Sequence, residues 1–432
     1  MPKIRNLLAS ACALAAVATP LAAQETPIVF EGATIMTMAG ETIENGALVI
    51  EDGKIVAVGT SVDIPSGAER RDVSGMVIMP GIVDTHSHIG GVSGADSSSP
   101  IQPEVRAMDS INPRDARIAK ARAGGVTTAN VMPGSGYLMS GQTFYMKLRD
   151  GETIEDIAYL WDDGTVMGGM KMANGTNPIR STSGFPGTRA KSAALVRTRF
   201  VAAQAYCEGK KEKRDLANEA LCEVLDGKRI VHFHTHRADD VMTAMRLRDE
   251  FGFRMVIQHG LEAYKVADRI AAANTPVSAI LVDSPGGKLE AMGASLAAGG
   301  ILERAGVLTA LHSDDGIIDS RLMFRQAGLA VRAGMTREGA LRALTVNGAR
   351  MLGLDDRVGS LEPGKDADFL VLDGDPLSVY TDIRETWVEG EKLFDLSDPE
   401  QAIYATGGYG AGEDTMPGEV LDHGGDVLGG GQ

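Results

Sequence analysis

Between Pro80 and Leu354 the chain alternates short, almost wholly apolar runs with Ala-, Leu-, Arg- and Glu-rich stretches of helical character. The runs are residues 81–84, 127–132, 143–146, 167–172, 229–233, 254–257, 276–282 and 307–311. A strand covered on both faces by crossover helices loses the polar alternation of a half-exposed strand, and these runs have lost it. Eight of them in succession predict an α/β fold, a TIM-type (β/α)8 barrel over residues 80–354. The 432 residues exceed the roughly 250–300 at which one core stops growing, so a smaller second domain is expected. Its sequence lies at both ends. Residues 28–30, 46–50 and 55–58 read as strands with a hairpin turn at Glu51-Asp52-Gly53-Lys54, and strand patterns return at 359–361, 367–372 and 386–388. Residues 24–79 and 355–396 are therefore expected to pair into a small β-sandwich. Residues 397–432 read as a glycine-rich, mobile tail.

Residues 1–23 read as a secretory signal peptide: Lys3 and Arg5, an apolar stretch over 7–21, then Ala22-Ala23 before Gln24. That stretch is short for a bilayer span, and no later segment reaches about 18 uninterrupted apolar residues, so a periplasmic or secreted protein without a membrane segment is expected. The formal charge of −16, from 42 basic and 58 acidic side chains, argues against nucleic acid as a partner. Export would place Cys207 and Cys222, which flank the polar segment 208–221, in an oxidising compartment. A disulfide and two buried thiols both remain open for this pair.

Seven of the eight histidines fall on four segments, each at the carboxyl end of an expected strand. Barrel enzymes assemble their sites at that rim from several strand ends. In Asp84-Thr85-His86-Ser87-His88 the two imidazoles are two residues apart, so an extended strand projects them to one side. His232, His234 and His236 repeat that spacing, and the pattern does not say which of the three ligates a metal. Gln258-His259-Gly260 and His312-Ser313-Asp314-Asp315 complete the set. Neutral imidazole is a common ligand of divalent metals, and a carboxylate beside it can ligate and accept a proton. His312 by itself reads as a hydrogen-bonded structural residue, and Asp315, Asp239 and Asp240 suit helix caps.

Met79-Pro80-Gly81 before Asp84-Thr85-His86-Ser87-His88, the His-bearing fifth and sixth strands, and Ser313-Asp314 resemble the amidohydrolase superfamily, in particular its imidazolonepropionase-related branch. Gly359-Ser360-Leu361-Glu362-Pro363-Gly364-Lys365-Asp366-Ala367-Asp368 resembles that superfamily's small sandwich. Gly168-Gly169-Met170-Lys171-Met172-Ala173 with Asn177-Pro178, and His234-Thr235-His236-Arg237-Ala238-Asp239-Asp240, look like motifs of an exported subgroup. The resemblance implies a divalent metal, zinc foremost, as one or two ions. It places His86, His88, His234, His259 and Asp314 as ligands. Lys171 lies where two-metal relatives carry a carboxylated lysine, with an ordinary lysine as the alternative.

The implied reaction is attack of metal-activated hydroxide on an amide carbonyl. Asp314 acts as base and then acid, His259 contacts water or substrate, and an imidazole such as His236 steadies the oxyanion. The substrate would be a small-molecule amide or short, dipeptide-like compound. The alternatives are a deaminase, or a lactone or phosphoester hydrolase, on the same centre, and a non-catalytic metal-binding protein. Classical deaminases of the superfamily carry His-x-x-Glu on the fifth strand, whereas His234 is followed by Arg237, and His236 to Asp239 is a looser equivalent. The Gly/Pro-rich segment 176–188 is expected at the rim, with Arg180, Arg189 or Arg237 able to clamp a substrate carboxylate. A homo-oligomer is compatible with the sequence, which does not decide it.

Overall fold

The computed structural model describes residues 26–92, 96–209, 213–281 and 288–407. The expected signal peptide, His423 and the tail beyond Gly407 lie outside the described residues. The amino-terminal strands are β1 (Ile28–Ile35), β2 (Ile43–Glu51), β3 (Lys54–Gly59), β4 (Glu69–Asp72) and β5 (Val77–Pro80). The middle of the chain supplies β6 (Ile82–Ser87), β7 (Val126–Val131), β8 (Met139–Gln142), β9 (Phe144–Lys147) and β10 (Met170–Ala173). Then come β11 (Val231–Thr235), β12 (Met255–His259), β13 (Val277–Ala279) and β14 (Thr309–Leu311). The last three are β15 (Phe369–Leu372), β16 (Ile383–Val388) and β17 (Glu391–Asp395).

One sheet joins the two ends of the chain in the order β17-β16-β15-β5-β1-β2-β3, with β4 beside β1. The β2–β3 turn uses Asp52 and Gly53 with φ of 48° and 73°, the paired left-handed residues that fit a tight hairpin. Phe30, Phe369 and Trp387 fill the sheet's core, with ring centroids 5.0–5.5 Å apart. Lys147 of β9 reaches this region fully buried and donates to Asp366 (2.7 Å) and Asp368 (2.8 Å). Burial by itself would lower the lysine's pKa, but the carboxylates of Asp368 and Asp366 outweigh it and raise it.

The second sheet runs β14-β13-β12-β11-β10-β8, and a third holds β6-β7-β9. Strands β10 to β14 are parallel neighbours, as helix-linked strands require. The run at 143–146 differs from expectation. Its strand β9 pairs antiparallel with β7, and β8 pairs antiparallel with β10, so the sheets are mixed. A short apolar run carries no direction, and the link from β7 passes through Pro133, Gly134 and Gly136 and then β8, with no helix to make a crossover.

Helix Arg189–Glu208 is capped by Thr188, whose side chain accepts from Lys191 N, and helix Leu216–Leu225 follows it. Cys207 and Cys222 form a disulfide between these two helices, with Cα atoms 5.7 Å apart. The stretch read as the start of the tail contains a helix, Pro399–Thr406, capped by Asp398 through Glu400 N. Proline in the first helical turn needs no donor there, and this Asp-Pro start is a local signal that the glycine count further along obscured.

Candidate metal centre

The alternation on β11 explains how its histidines are delivered. Phe233 packs into the main apolar core, while His232 and His234 project from the opposite side of the strand. The registers set Lys171 beside His232, His234 beside Gln258, and Thr235 beside His259 across β10, β11 and β12. Gly169 gives the room: a Cβ there would meet the His232 ring at 2.4 Å. At the other end of the row Asp314 N donates to His86 O (2.9 Å). Buried Asp84 accepts from Ser313 N (3.1 Å) and His86 N (3.2 Å), which fixes β6 against the Asp314 segment. His259 and Asp314 have φ of 66° and 51°. Left-handed backbone at non-glycine residues costs about 1–3 kcal/mol and persists where surrounding contacts enforce it, commonly at functional sites.

His86 Nε2 and His88 Nε2 lie 3.2 Å and 2.9 Å from Asp314 Oδ1. The other nitrogens are occupied: His88 Nδ1 donates to Met132 O (2.7 Å) and His86 Nδ1 to Gln258 Oε1 (3.2 Å). These partners set the tautomer that leaves both Nε2 lone pairs for a ligand. Gln258 is itself held, its Nε2 donating to His232 Nδ1 (3.0 Å) and Thr85 O (3.4 Å). Gln258→Leu is therefore expected to lower divalent-metal affinity about 10–100-fold while preserving the fold. Titration of the apo-protein with zinc against a competing chelator checks this, and unchanged affinity would remove Gln258 as an orienting group.

His232 is engaged at both nitrogens, since Nε2 also lies 3.3 Å from the Tyr145 hydroxyl. That leaves His234 and His236 as the free choices on this segment. His312 is also engaged at both, by Ser278 Oγ (2.7 Å) and His259 Nδ1 (3.0 Å). His234 accepts from Asn177 Nδ2 at Nε2 (3.1 Å). Its ring lies 4.5 Å from that of His259, which is 4.6 Å from His86. Buried His234 Nδ1, His236 Nδ1 and His259 Nε2 have no hydrogen-bond partner among the described residues.

Among the described residues, three groups bring ligand atoms within 4.8 Å of one another: His86–His88–Asp314, His86–His259–His312 and His234–His236–Glu290. Thus the expected ligands His86, His88 and Asp314 converge directly, and His234 joins the neighbouring group with Glu290, a residue the sequence did not single out. Lys171 is fully buried, with Nζ 3.0 Å from His86 Nε2 and 3.1 Å from Met132 Sδ, and no carboxylate pairs with it among the described residues.

Burial pushes His86, His234 and His259 well below the ordinary imidazole value, His232 and His312 to about 3, and His236 to about 4. These six imidazoles are thus neutral, as metal ligation demands. For Asp314 burial raises the pKa, but the contact with His88 and the electrostatic influence of His88, His312 and Lys171 bring it to about 2. Burial, only partly opposed by Asp314, pulls Lys171 down to about 7. Convergent neutral nitrogens, an ionised carboxylate and orphaned buried imidazole atoms fit a divalent cation with a taste for mixed nitrogen and oxygen ligands.

Of the expected clamps, Arg189 pairs with Asp240 (2.9 Å) and Glu290 (3.2 Å), and Arg237 with Asp239 (2.9 Å). Arg180 donates to Asn177 O (2.9 Å) and Gly136 O (3.1 Å) and lies over Tyr137 and Phe185.

The chain is 28% identical over 391 residues to "Amidohydrolase tasK" of Hapsidospora irregularis, covering 81% of this chain but only 40% of that relative's length. It is 25% identical over 385 residues to an imidazolonepropionase of Micrococcus luteus, covering 81% of this chain and 93% of the relative. The crystal structure of an amidohydrolase from Thermotoga maritima MSB8 superposes with a TM-score of 0.79 at 35% identity, over 85% of this chain and all of that one. The sequence model of the Amidohydrolase family matches residues 77–394, and by that span, together with the Thermotoga likeness, this chain is a member of the amidohydrolase family of hydrolases.

Proposed function

We propose that the protein is a metal-dependent amidohydrolase that cleaves the C–N bond of a small amide or dipeptide-like compound. The observation that carries this reading is the meeting of His86 Nε2, His88 Nε2 and Asp314 Oδ1, with the remaining ring nitrogens of both histidines tied to Met132 O and Gln258 Oε1. His86, His88 and Asp314 would hold the cation, with His234 and His259 as further ligands. Were its neutral amine to take up carbon dioxide and lose a proton, Lys171 would supply carbamate oxygens to a second ion, a reading supported by its burial with no carboxylate partner among the described residues. A divalent cation, zinc first, supplies Lewis-acid activation of water and carbonyl when bound. Asp314, ionised at neutral pH, takes the proton of the attacking water and returns it to the leaving nitrogen. His236, neutral and with an unpartnered nitrogen, stands ready to donate to the developing oxyanion.

Several broader features belong to the same proposal. The nine strands β6 to β14 belong to one (β/α)8-type barrel, a reading supported by the Asp314 N to His86 O and Tyr145 N to Met167 O bonds, which tie the three-stranded sheet to the segments that follow β14 and precede β10. The sheet built from both chain ends forms the small sandwich. Export to the periplasm is supported by the Cys207–Cys222 disulfide, a bond that persists in oxidising compartments. A deaminase is less well supported, because Asp239, the carboxylate of the looser motif, is exposed and paired with Arg237.

The test is metal analysis of the purified protein together with a screen of N-acyl amino acids, dipeptides and cyclic ureides. About one or two equivalents of divalent metal and chelator-sensitive acid release are expected. Ammonia release without acid production would overturn amide hydrolysis in favour of deamination.

A further inference from the structure

The cations near the centre are not equivalent. Arg189 and Arg237 are neutralised by carboxylates of the protein itself. Lys288 is not. Its Nζ donates to Asn177 Oδ1 (2.5 Å), and no carboxylate among the described residues pairs with it. An ammonium has three donors, and here one neutral amide oxygen takes one of them. Asn177 stands between this ammonium and the histidines, since its Nδ2 donates to His234 Nε2 (3.1 Å). The charge of Lys288 bears on both His234 and His236.

The arm that carries Lys288 is fastened. Two residues along, Glu290 is buried, and its Oε2 accepts from Thr176 N (2.8 Å) and Arg189 Nη2 (3.2 Å). Gly175 makes this approach possible: its φ is +76°, and a Cβ there would meet Glu290 at 2.7 Å. The segment after β13 is thereby locked to the segment after β10. A half-buried cation on a fixed arm, with no carboxylate partner among the described residues, is complementary to an anion brought by a ligand.

We propose that Lys288 binds a carboxylate on the substrate, which makes the preferred compounds acyl amino acids or dipeptide-like acids rather than neutral amides. This rests on the amide-hydrolysis reading above for its chemistry, but not for the binding itself. Leu289 and Met292, both exposed, flank the arm, so an apolar amino acid is the suitable probe.

The experiment measures binding of N-acetyl-L-leucine and N-acetyl-L-leucinamide to the zinc-loaded protein by calorimetry, using Asp314→Asn to prevent turnover. The acid is expected to bind about tenfold or more tighter than the amide, the scale of one charge-assisted hydrogen bond. Adding Lys288→Met should erase the difference by weakening the acid alone, and Lys288→Arg should retain most of it. Equal binding of acid and amide, no binding of either, or an equal loss of both in Lys288→Met would overturn the proposal. The last outcome would make Lys288 a tether for Asn177 only. Hydrolysis of both compounds, followed with Asp314 intact, separates the two ideas. A Lys288-dependent preference without hydrolysis would sink the amide reading and leave the anchor standing, whereas hydrolysis without preference would do the reverse.

Discussion

Asp314→Asn is expected to lower turnover about 10²–10⁴-fold, the usual contribution of a positioned acid–base group. The change keeps an oxygen toward His86 and His88, whose Nε2 atoms lie 3.2 Å and 2.9 Å from Asp314 Oδ1, but removes the ability to accept a proton. The wild-type carboxylate is ionised far below neutral pH, with a pKa of about 2. Because its backbone also donates to His86 O, the segment should stay in place. Metal content by elemental analysis should therefore remain near that of the wild type while hydrolysis collapses. A variant that turns over normally with its metal retained would exclude Asp314 as the proton carrier.

Lys147→Met is expected to cost about 3–5 kcal/mol of stability, the range for breaking a buried ion pair from one side. Asp366 keeps other cations, Lys54 at 2.5 Å and Arg357 at 3.5 Å. Asp368 has no other cation among the described residues: it is buried, and burial already raises its pKa with Lys147 present. Adding Asp368→Asn to Lys147→Met should restore part of the loss, because the buried charge goes with its partner. Urea unfolding of the single and double variants tests this. A loss below about 1 kcal/mol in Lys147→Met would show the pair to be no more than a surface-like contact.

Periodicity carried much of the site. His86 and His88, two apart on a strand, could be placed on one side of it before any coordinates, and the structure brings both to Asp314. What escaped notice were Gln258, Lys288 and Glu290. A glutamine that fixes a tautomer, or a lysine paired with an amide, leaves no spacing signature, because its role is set by a partner far along the chain. Asn177 belongs to a motif and a rim loop legible in the sequence, but nothing there shows that its side chain joins His234 to Lys288. The fold was legible where helices intervene, as from β11 to β12, and misjudged at residues 143–146, where strand direction depends on the connection and not on the run itself.

The sheet shared by the two ends of the chain has a consequence for biosynthesis. Strand β5 ends at Pro80, and its neighbour β15 begins only at Phe369. The first strands to be made must wait, one edge bare, until residue 369 and those after it have followed. Such late closure lengthens the interval in which an unpaired strand can recruit a wrong neighbour. Truncation after the histidine-bearing region should therefore yield aggregates rather than a smaller working enzyme, and holding factors that shield nascent chains should matter most for this protein while its final strands are still unmade.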